Sequence, residues 1–118
     1  MDVLGSHLDL LTKLMGASAL RNEVLMHNLA NSNTPGYRRR FVEFEQHLQT
    51  AMAESPTAAA KVEPRVVEDE ITPTGPNGNN VTQELEMNAM RENQLLYETY
   101  ASILQHHFDL LQSSIVSR

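Results

Sequence analysis

A Pro-Gly pair at positions 35 and 36 divides the chain and limits how far its first helix can extend. Pro35 has no amide proton, and its ring disfavours helical geometry at Thr34. Pro35 and Gly36 then occupy the two centres of a type II turn, in which the glycine supplies the positive φ angle. We therefore expect a helix to end near residues 31–33 and a tight turn from Thr34 to Tyr37 to follow it.

Residues 3–31, which precede this turn, place apolar side chains at alternating steps of four and three. Ser18 and Asn22 occupy the two positions where the apolar residue is missing, so the repeat has a polar centre. Ser6 is the expected N-cap. The pattern predicts one long helix whose assembly seam is formed by Leu4, Leu8, Leu11, Met15, Leu25 and Leu29.

A second and wider apolar pattern runs from about residue 82 to close to the C-terminus, with no proline or glycine after Gly78. Asn80 or Thr82 can cap this helix, and Glu84 and Glu86 complement the positive end of its dipole. Its predicted assembly seam is Met90, Tyr97, Ala101, Leu104, Phe108, Leu111 and Ile115, flanked by a row of Leu96, Tyr100, Ile103 and Leu110.

The segment between the two helices has weaker signals. Residues 41–53 suit a short helix, although the alternation at the start of this stretch also suits a brief extended segment. Residues 54–80 contain four prolines and a turn-rich end, which favours a mobile or extended linker. Val66 and Val67 suggest a short strand for which no partner is evident nearby.

These patterns predict a mainly α chain in which residues 1–33 and 81–118 form a coiled-coil hairpin and residues 34–80 are largely irregular and partly extended. A helix pair has no third element to cover the outer flanks of the second helix. Burial is worth about 25 cal/mol per Å² of apolar surface, whereas ordering each residue costs about 1–2 kcal/mol. The isolated hairpin is therefore expected to be marginal, and its uncovered rows predict partner helices.

Charge and composition argue against several classes of site. The net charge of −6 disfavours nucleic acid, which needs a basic face. The basic run Arg38–Arg40 is followed by Glu43 and Glu45, so a solvated stretch is favoured over a phosphate clamp; contact with an acidic neighbouring subunit is a third interpretation. The chain has no cysteine, which excludes disulfides and thiol chemistry.

The remaining polar residues give no pattern of a catalytic or metal site. None of the five histidines forms a pair at i, i+4 spacing, and adjacent His106 and His107 point about 100° apart on a helix. We expect them at a surface or an interface. Glu84, Glu86 and Glu92 are expected to be a solvated helix start. No catalytic residue, metal, cofactor or small-molecule substrate is expected.

No stretch approaches the roughly 20 apolar residues of a membrane span. The N-terminus also lacks the basic start and continuous apolar core of a Sec signal peptide. If the protein acts outside the cytoplasm, we expect it to leave by another route.

The segment from Leu25 to Tyr37, LMHNLANSNTPGY, couples an Asn-rich helix end to the turn. It resembles the signature of the flagellar axial proteins, which are the rod, hook and hook-associated subunits. The chain is most similar to the short proximal rod subunits of that group, because it lacks a large inserted domain. The resemblance covers residues 17–48 and 78–117. The motif residues are Asn28, Ala30, Asn31, Thr34, Pro35, Gly36 and Tyr37.

The resemblance implies a coiled-coil hairpin that faces the filament interior and polymerises. It also implies a location at the base of the drive shaft, in the periplasmic rod of the basal body. The implied partners are other copies of the chain, other rod proteins, the membrane ring and the export gate. Flagellar type III export would then replace a Sec signal, and helices that order only on assembly would keep the exported monomer narrow.

Two other classes of function compete with this interpretation. A soluble helical adaptor, or chaperone-like coiled-coil module that binds one partner, explains the uncovered apolar rows equally well but leaves the Asn-rich motif unexplained. A small enzymatic or ligand-binding domain needs a pocket that these residues do not supply.

Overall fold

The computed structural model describes residues 3–116, and side chains from residue 5 to residue 116. The described part of the chain is elongated, with a longest extent of 67 Å. Its elements are α1 (Val3–Ala30), β1 (Arg40–Glu43), α2 (Glu45–Glu54), α3 (Pro56–Ala60), β2 (Arg65–Glu68) and α4 (Gln83–Val116). The predicted mainly helical fold, with one long helix at each end, is confirmed.

The two long helices form an antiparallel hairpin. The ring of His7 in α1 lies 6.3 Å from the ring of His107 in α4, while near the other end the amide of Asn28 lies 3.1 Å from Glu86. The prediction of Ser6 as N-cap is wrong, because α1 already begins at Val3. Serine is tolerated inside a helix, so the residue type alone did not locate the helix start.

The end of α1 follows the prediction from Pro35 and Gly36. The helix ends at Ala30, and the Tyr37 amide donates a hydrogen bond of 3.2 Å to the Thr34 carbonyl. Gly36 has a φ of +76°, the left-handed conformation that a type II turn requires and that glycine adopts without strain.

The central segment contains more ordered pairing than its sequence indicated. Both interpretations of residues 41–53 apply in succession, since β1 is followed directly by α2. The short strand suggested by Val66 and Val67 is present as β2, and it pairs antiparallel with β1. The partner strand lies more than twenty residues earlier in the chain, so a local pattern could not reveal it.

A small apolar core joins α1 to this central segment rather than to α4. It consists of Ala17 and Val24 from α1, and Val42, Phe44 and Leu48 from the segment after the turn. Phe44 is 1% exposed. None of these buried apolar residues belongs to α4, so that helix depends on other contacts.

Candidate assembly surface and polar junction

Among the described residues, α4 fully buries only two side chains, and both are polar: Glu86 and Asn93. Its large apolar side chains that stay more than a third exposed are Leu85, Met87, Leu95, Leu96, Tyr97, Ile103, Phe108, Leu110, Leu111, Ile115 and Val116. These side chains lie on several sides of the helix. So much exposed apolar surface is unusual on a soluble monomer and is typical of an interaction site. We call the exposed apolar residues from Ile103 to Val116 the open face of α4.

The two predicted assembly seams differ in how much of each is buried within the chain. In α1, Leu11 and Leu25 are buried and Leu8, Met15 and Leu29 are half-buried, while the side chain of Leu4 lies outside the described residues. In α4, the half-buried seam residues are Met90, Ala101 and Leu104, and the exposed ones are Tyr97, Phe108, Leu111 and Ile115. The first seam is therefore largely covered within the chain, whereas the second is largely open.

A groove between the two helices extends this apolar surface towards the start of α4. Leu29 from α1 and Met87, Met90 and Leu95 from α4 line it. The groove is open to solvent along its length and has the form of a helix-packing surface rather than an enclosed ligand pocket.

The start of α4 is fixed by a buried network that we call the polar junction: Asn28, Arg39, Asp69, Asn80 and Glu86. Glu86 is 1% exposed and accepts a hydrogen bond of 2.6 Å from Arg39 Nε. Arg39 also donates through Nη1 to Asp69 at 2.9 Å. The guanidinium therefore bridges one carboxylate from α4 and one from the segment after β2.

Two predictions are wrong at this network. Glu86 is not part of a solvated helix start, and Arg39 is not part of a solvated basic run, because the two side chains form an ion pair within the chain. A buried carboxylate needs such a partner, since an unpaired charge is costly to remove from water. The partners lie 47 residues apart in sequence, and no local spacing identified them.

Asp69 is held in its charged form by several donors. Its carboxylate accepts hydrogen bonds from the hydroxyl and amide of Thr72, from the amide of Ile71 and from Arg39. These contacts, with those of Thr72 the largest, lower the pKa of Asp69 well below its ordinary value. Burial opposes the charge of Arg39, but the hydrogen bonds that Arg39 donates to Glu86 and Asp69, together with their negative charges, outweigh it and raise the pKa of Arg39.

Asn28, the first residue of the sequence motif, lies at the centre of the junction with 0% exposure. Its Nδ2 donates to the Arg40 carbonyl at 2.8 Å, and its Oδ1 accepts from the Arg40 amide at 2.9 Å. The side-chain amide thus pairs with both backbone groups of Arg40, as a neighbouring strand would. Asn28 also donates to Glu86 and accepts from the hydroxyl of Tyr37.

The other motif residues tie the turn to the loop before α4. Asn31 caps the end of α1 by donating from Nδ2 to the His27 carbonyl at 2.8 Å. Asn79 Nδ2 donates to the carbonyls of Asn31 and Thr34. The Gly36 amide donates to the Asn77 carbonyl at 2.8 Å. The side chains left exposed are those of Ala30, Thr34 and Pro35.

A second buried polar contact lies midway along the hairpin. Asn93 Nδ2 donates to the Ser18 carbonyl at 2.7 Å, and both residues are at least 97% buried. Ser18 is one of the two residues that interrupt the apolar repeat of α1. The contact uses the backbone of Ser18, whereas Ser18 Oγ and Asn93 Oδ1 are buried without a hydrogen-bond partner in the described part of the chain. A change of helix register that removed the Ser18 carbonyl would also leave Asn93 Nδ2 buried without an acceptor.

Asn80 does not cap α4, although it was one of two candidates. Its Oδ1 accepts from the Arg39 amide at 2.6 Å, and its Nδ2 donates to the Asp69 carbonyl at 3.0 Å. The Thr82 carbonyl instead accepts the first helical hydrogen bond, from the Glu86 amide. The Asp-x-x-Thr spacing at residues 69–72 is a local sequence signal for part of the junction.

Neither a metal site nor a membrane span is present within residues 3–116. No group of three His, Asp or Glu side chains there is arranged to hold a metal ion. No helix in the same range is long and apolar enough to cross a bilayer. His106 is exposed and His107 is half-buried.

The curated relatives that the chain matches all carry the same name. No family model matches the chain. It is 33% identical to "Flagellar basal body rod protein FlgB" of Aquifex aeolicus, covering 83% of each chain. It is 26% identical to the protein of that name in Borrelia hermsii, covering 92% of this chain and 94% of the relative. It is 28% identical to that of Yersinia ruckeri, covering 88% and 89%.

Proposed function

The chain belongs to the FlgB family of flagellar basal body rod proteins, and we propose that it polymerises through its two terminal helices in the proximal rod. As a member of this family it is a structural subunit of the rod. The motif from Asn28 to Tyr37 supports this assignment, because in this chain it builds the junction that holds the start of α4 in place.

The observation that carries the mechanism is the open face of α4. Phe108 is 50% exposed and Ile115 is 72% exposed, on a helix whose own partner, α1, does not cover them. Burying such side chains against a neighbouring subunit contributes favourable free energy for each contact repeated along a filament. A head-to-tail contact that does not close into a ring produces a helical polymer.

In this proposal residues 1–33 and 81–118 form the assembly core, and residues 34–80 connect the two helices and hold the start of α4 through the polar junction. The first predicted seam packs within the chain, and the exposed members of the second seam contact neighbouring subunits. The subunit contacts other copies of itself and other rod proteins, and lies beside the membrane ring and export gate. It reaches the periplasmic rod through flagellar type III export.

The proposal also includes a change on assembly. The end of α4 lacks buried residues from Gln94 to Val116 in the described chain. A helix segment without buried contacts opens readily, because packing rather than propensity supplies most helix stability. We propose that this segment is dynamic in the monomer and becomes ordered in the rod.

The test is charge placement on the open face in the native bacterium. The double variant Phe108→Asp with Ile115→Asp replaces two exposed apolar side chains and leaves the half-buried Leu104 unchanged. We expect normal cellular levels of the protein but no rods in purified basal bodies and no swimming. The matched control, Ser102→Asp with Gln112→Asp, adds the same charge at exposed polar positions of α4 and is expected to swim.

Normal rods in the first double variant would contradict polymerisation through α4. A second readout separates the rod subunit from the adaptor alternative. The purified wild-type chain at rising concentration should form open-ended assemblies of increasing size by light scattering. A closed dimer or tetramer that stops growing would instead support an adaptor.

A further inference from the structure

The two outer edges of the β1–β2 sheet differ in how their backbone groups are satisfied. On β1, Asn28 bonds both the amide and the carbonyl of Arg40. Arg21 Nη2 donates to the carbonyl of Val42 at 3.2 Å. Side chains of α1 therefore occupy the outer edge of β1, and no further strand can pair there.

The outer edge of β2 has no such cover. The Asp69 amide donates to the Arg39 carbonyl at 2.8 Å, which fixes which residues face β1. Because antiparallel ladders alternate, Arg65 and Val67 point their backbone groups towards β1, and Val66 and Glu68 point theirs outwards. Within residues 3–116 no hydrogen bond to the outward backbone groups of Val66 or Glu68 is formed.

Side chains beside this edge are also exposed, and hydrogen bonds hold the backbone that carries them. Val66 is 46% exposed and Ile71 is 93% exposed. Asp69 holds the Ile71 amide at 3.0 Å, so this isoleucine projects from an anchored turn. Glu68 and Glu70 are exposed, and neither forms an ion pair in the described part of the chain.

We propose that the outer edge of β2 binds an extended segment of another polypeptide, which adds a third, antiparallel strand to the sheet. The segment has a lysine or arginine opposite Glu68 and a β-branched or other apolar residue opposite Val66. Outward amide and carbonyl pairs two residues apart fit an extended strand and no helix. A basic segment also complements the net charge of −6.

Strand β1, which pairs with the inner edge of β2, already has a basic and an apolar residue at the corresponding positions. In β1, Arg40 lies opposite Glu68 and Val42 lies opposite Val66. The same pairing on the other edge keeps opposite charges and apolar side chains adjacent, and such cross-strand pairs stabilise a sheet. The interaction uses the sheet rather than the terminal helices, so it stands or falls separately from polymerisation through α4.

The probe is an end-blocked peptide with the β1 sequence RRRFVEFE, added at millimolar concentration to the full-length ¹⁵N-labelled chain. Amide hydrogen exchange is measured by NMR without and with the peptide. In the free chain we expect Val66 and Glu68 to exchange at least about tenfold faster than Val67. With peptide, exchange at Val66 and Glu68 should slow severalfold while Val67 stays protected.

Two substitutions locate the binding. Val66→Pro removes the outward amide of residue 66, and an edge strand tolerates proline at such a position. This variant should no longer show slower amide exchange when the peptide is added. Glu68→Lys should weaken binding by charge repulsion, whereas Glu70→Lys, a control beyond the strand, should retain most of it. A peptide carrying Arg40→Glu should bind more weakly than the original.

Three results would overturn the proposal. Protection of the Val66 and Glu68 amides in the free chain would show that the edge is already occupied. Absence of any peptide effect at these amides would show that the charges beside β2 block pairing. A peptide effect that persists in Val66→Pro would show that the peptide replaces β1 instead of adding a strand.

Discussion

The two halves of α4 carry similar apolar patterns but meet different surroundings. The first half contains Glu86 and Asn93, which are buried and bonded to α1 and to the junction. The second half contains Phe108 and Ile115, which are half or more exposed. The repeat of apolar residues therefore does not by itself tell which half of the helix contains buried residues bonded to the rest of the chain.

The difference lies in what each half uses to hold its position. The hydrogen bonds of Glu86 and of Asn93 Nδ2 are directional and favour the register in which they form. Apolar side chains such as Phe108 pack against many surfaces with little directional preference. The first half is thus held within the single chain, although Leu85 and Leu95 stay exposed, and in our proposal the second half contacts neighbouring chains.

The largest expected effect comes from removing the carboxylate at the start of α4. Glu86→Ala removes one of the two carboxylates that pair with Arg39 and one acceptor of the Asn28 amide in a buried site. We expect the free energy of unfolding to fall by about 3 kcal/mol, measured by urea denaturation. The control Glu84→Ala removes an exposed carboxylate of the same helix turn and should cost less than about 1 kcal/mol. Equal losses of free energy of unfolding in the two variants would show that the polar junction does not stabilise the first half of α4.

The second largest expected effect comes from breaking the contact between α1 and the sheet. Asn28→Ala removes the side chain that pairs with the backbone of Arg40, and should lower the free energy of unfolding by about 2 kcal/mol. Asn33→Ala, at an exposed position of the same motif region, should change it by less than about 0.5 kcal/mol. An unchanged stability in Asn28→Ala would mean that water replaces the amide at no cost.

A smaller effect comes from acidification. The pKa of Asp69 lies below its ordinary value of 3.8, so the unfolded chain takes up protons first as the pH falls. The stabilisation is complete above pH 3.8 and is lost progressively below it. Only part of it is lost by pH 3. Urea denaturation between pH 6 and pH 3 should show a decline that is shallower in Asp69→Asn. Identical pH profiles would exclude Asp69 as a contributor.

The smallest expected effect lies in the second half of α4. Phe108→Asp with Ile115→Asp should change the free energy of unfolding of the monomer by less than about 0.5 kcal/mol per site, because both side chains are already exposed. Leu25→Ala, at a buried position of α1, should cost about 2–4 kcal/mol by comparison. A large loss in the double aspartate variant would show that the open face is covered in the monomer.

The sequence predicted the two long helices and the turn because their signals are local. Apolar spacing located α1 and α4, and Pro35 with Gly36 located the break between them. The ion pair of Arg39 with Glu86 was not predictable in this way, because an acidic residue in the first helix turn has the same local pattern whether solvated or buried. The β1–β2 pairing was missed for the same reason: strand partners are chosen by tertiary contact.

The most direct test of the contrast within α4 is residue-resolved amide hydrogen exchange in the dilute, full-length monomer. We predict strong protection from about residue 87 to residue 97, where buried polar contacts hold the helix, and exchange at least about tenfold faster from residue 104 to residue 115. Uniform strong protection to the end of α4 would contradict the account, because it would show that the second half is already stable without a neighbouring subunit.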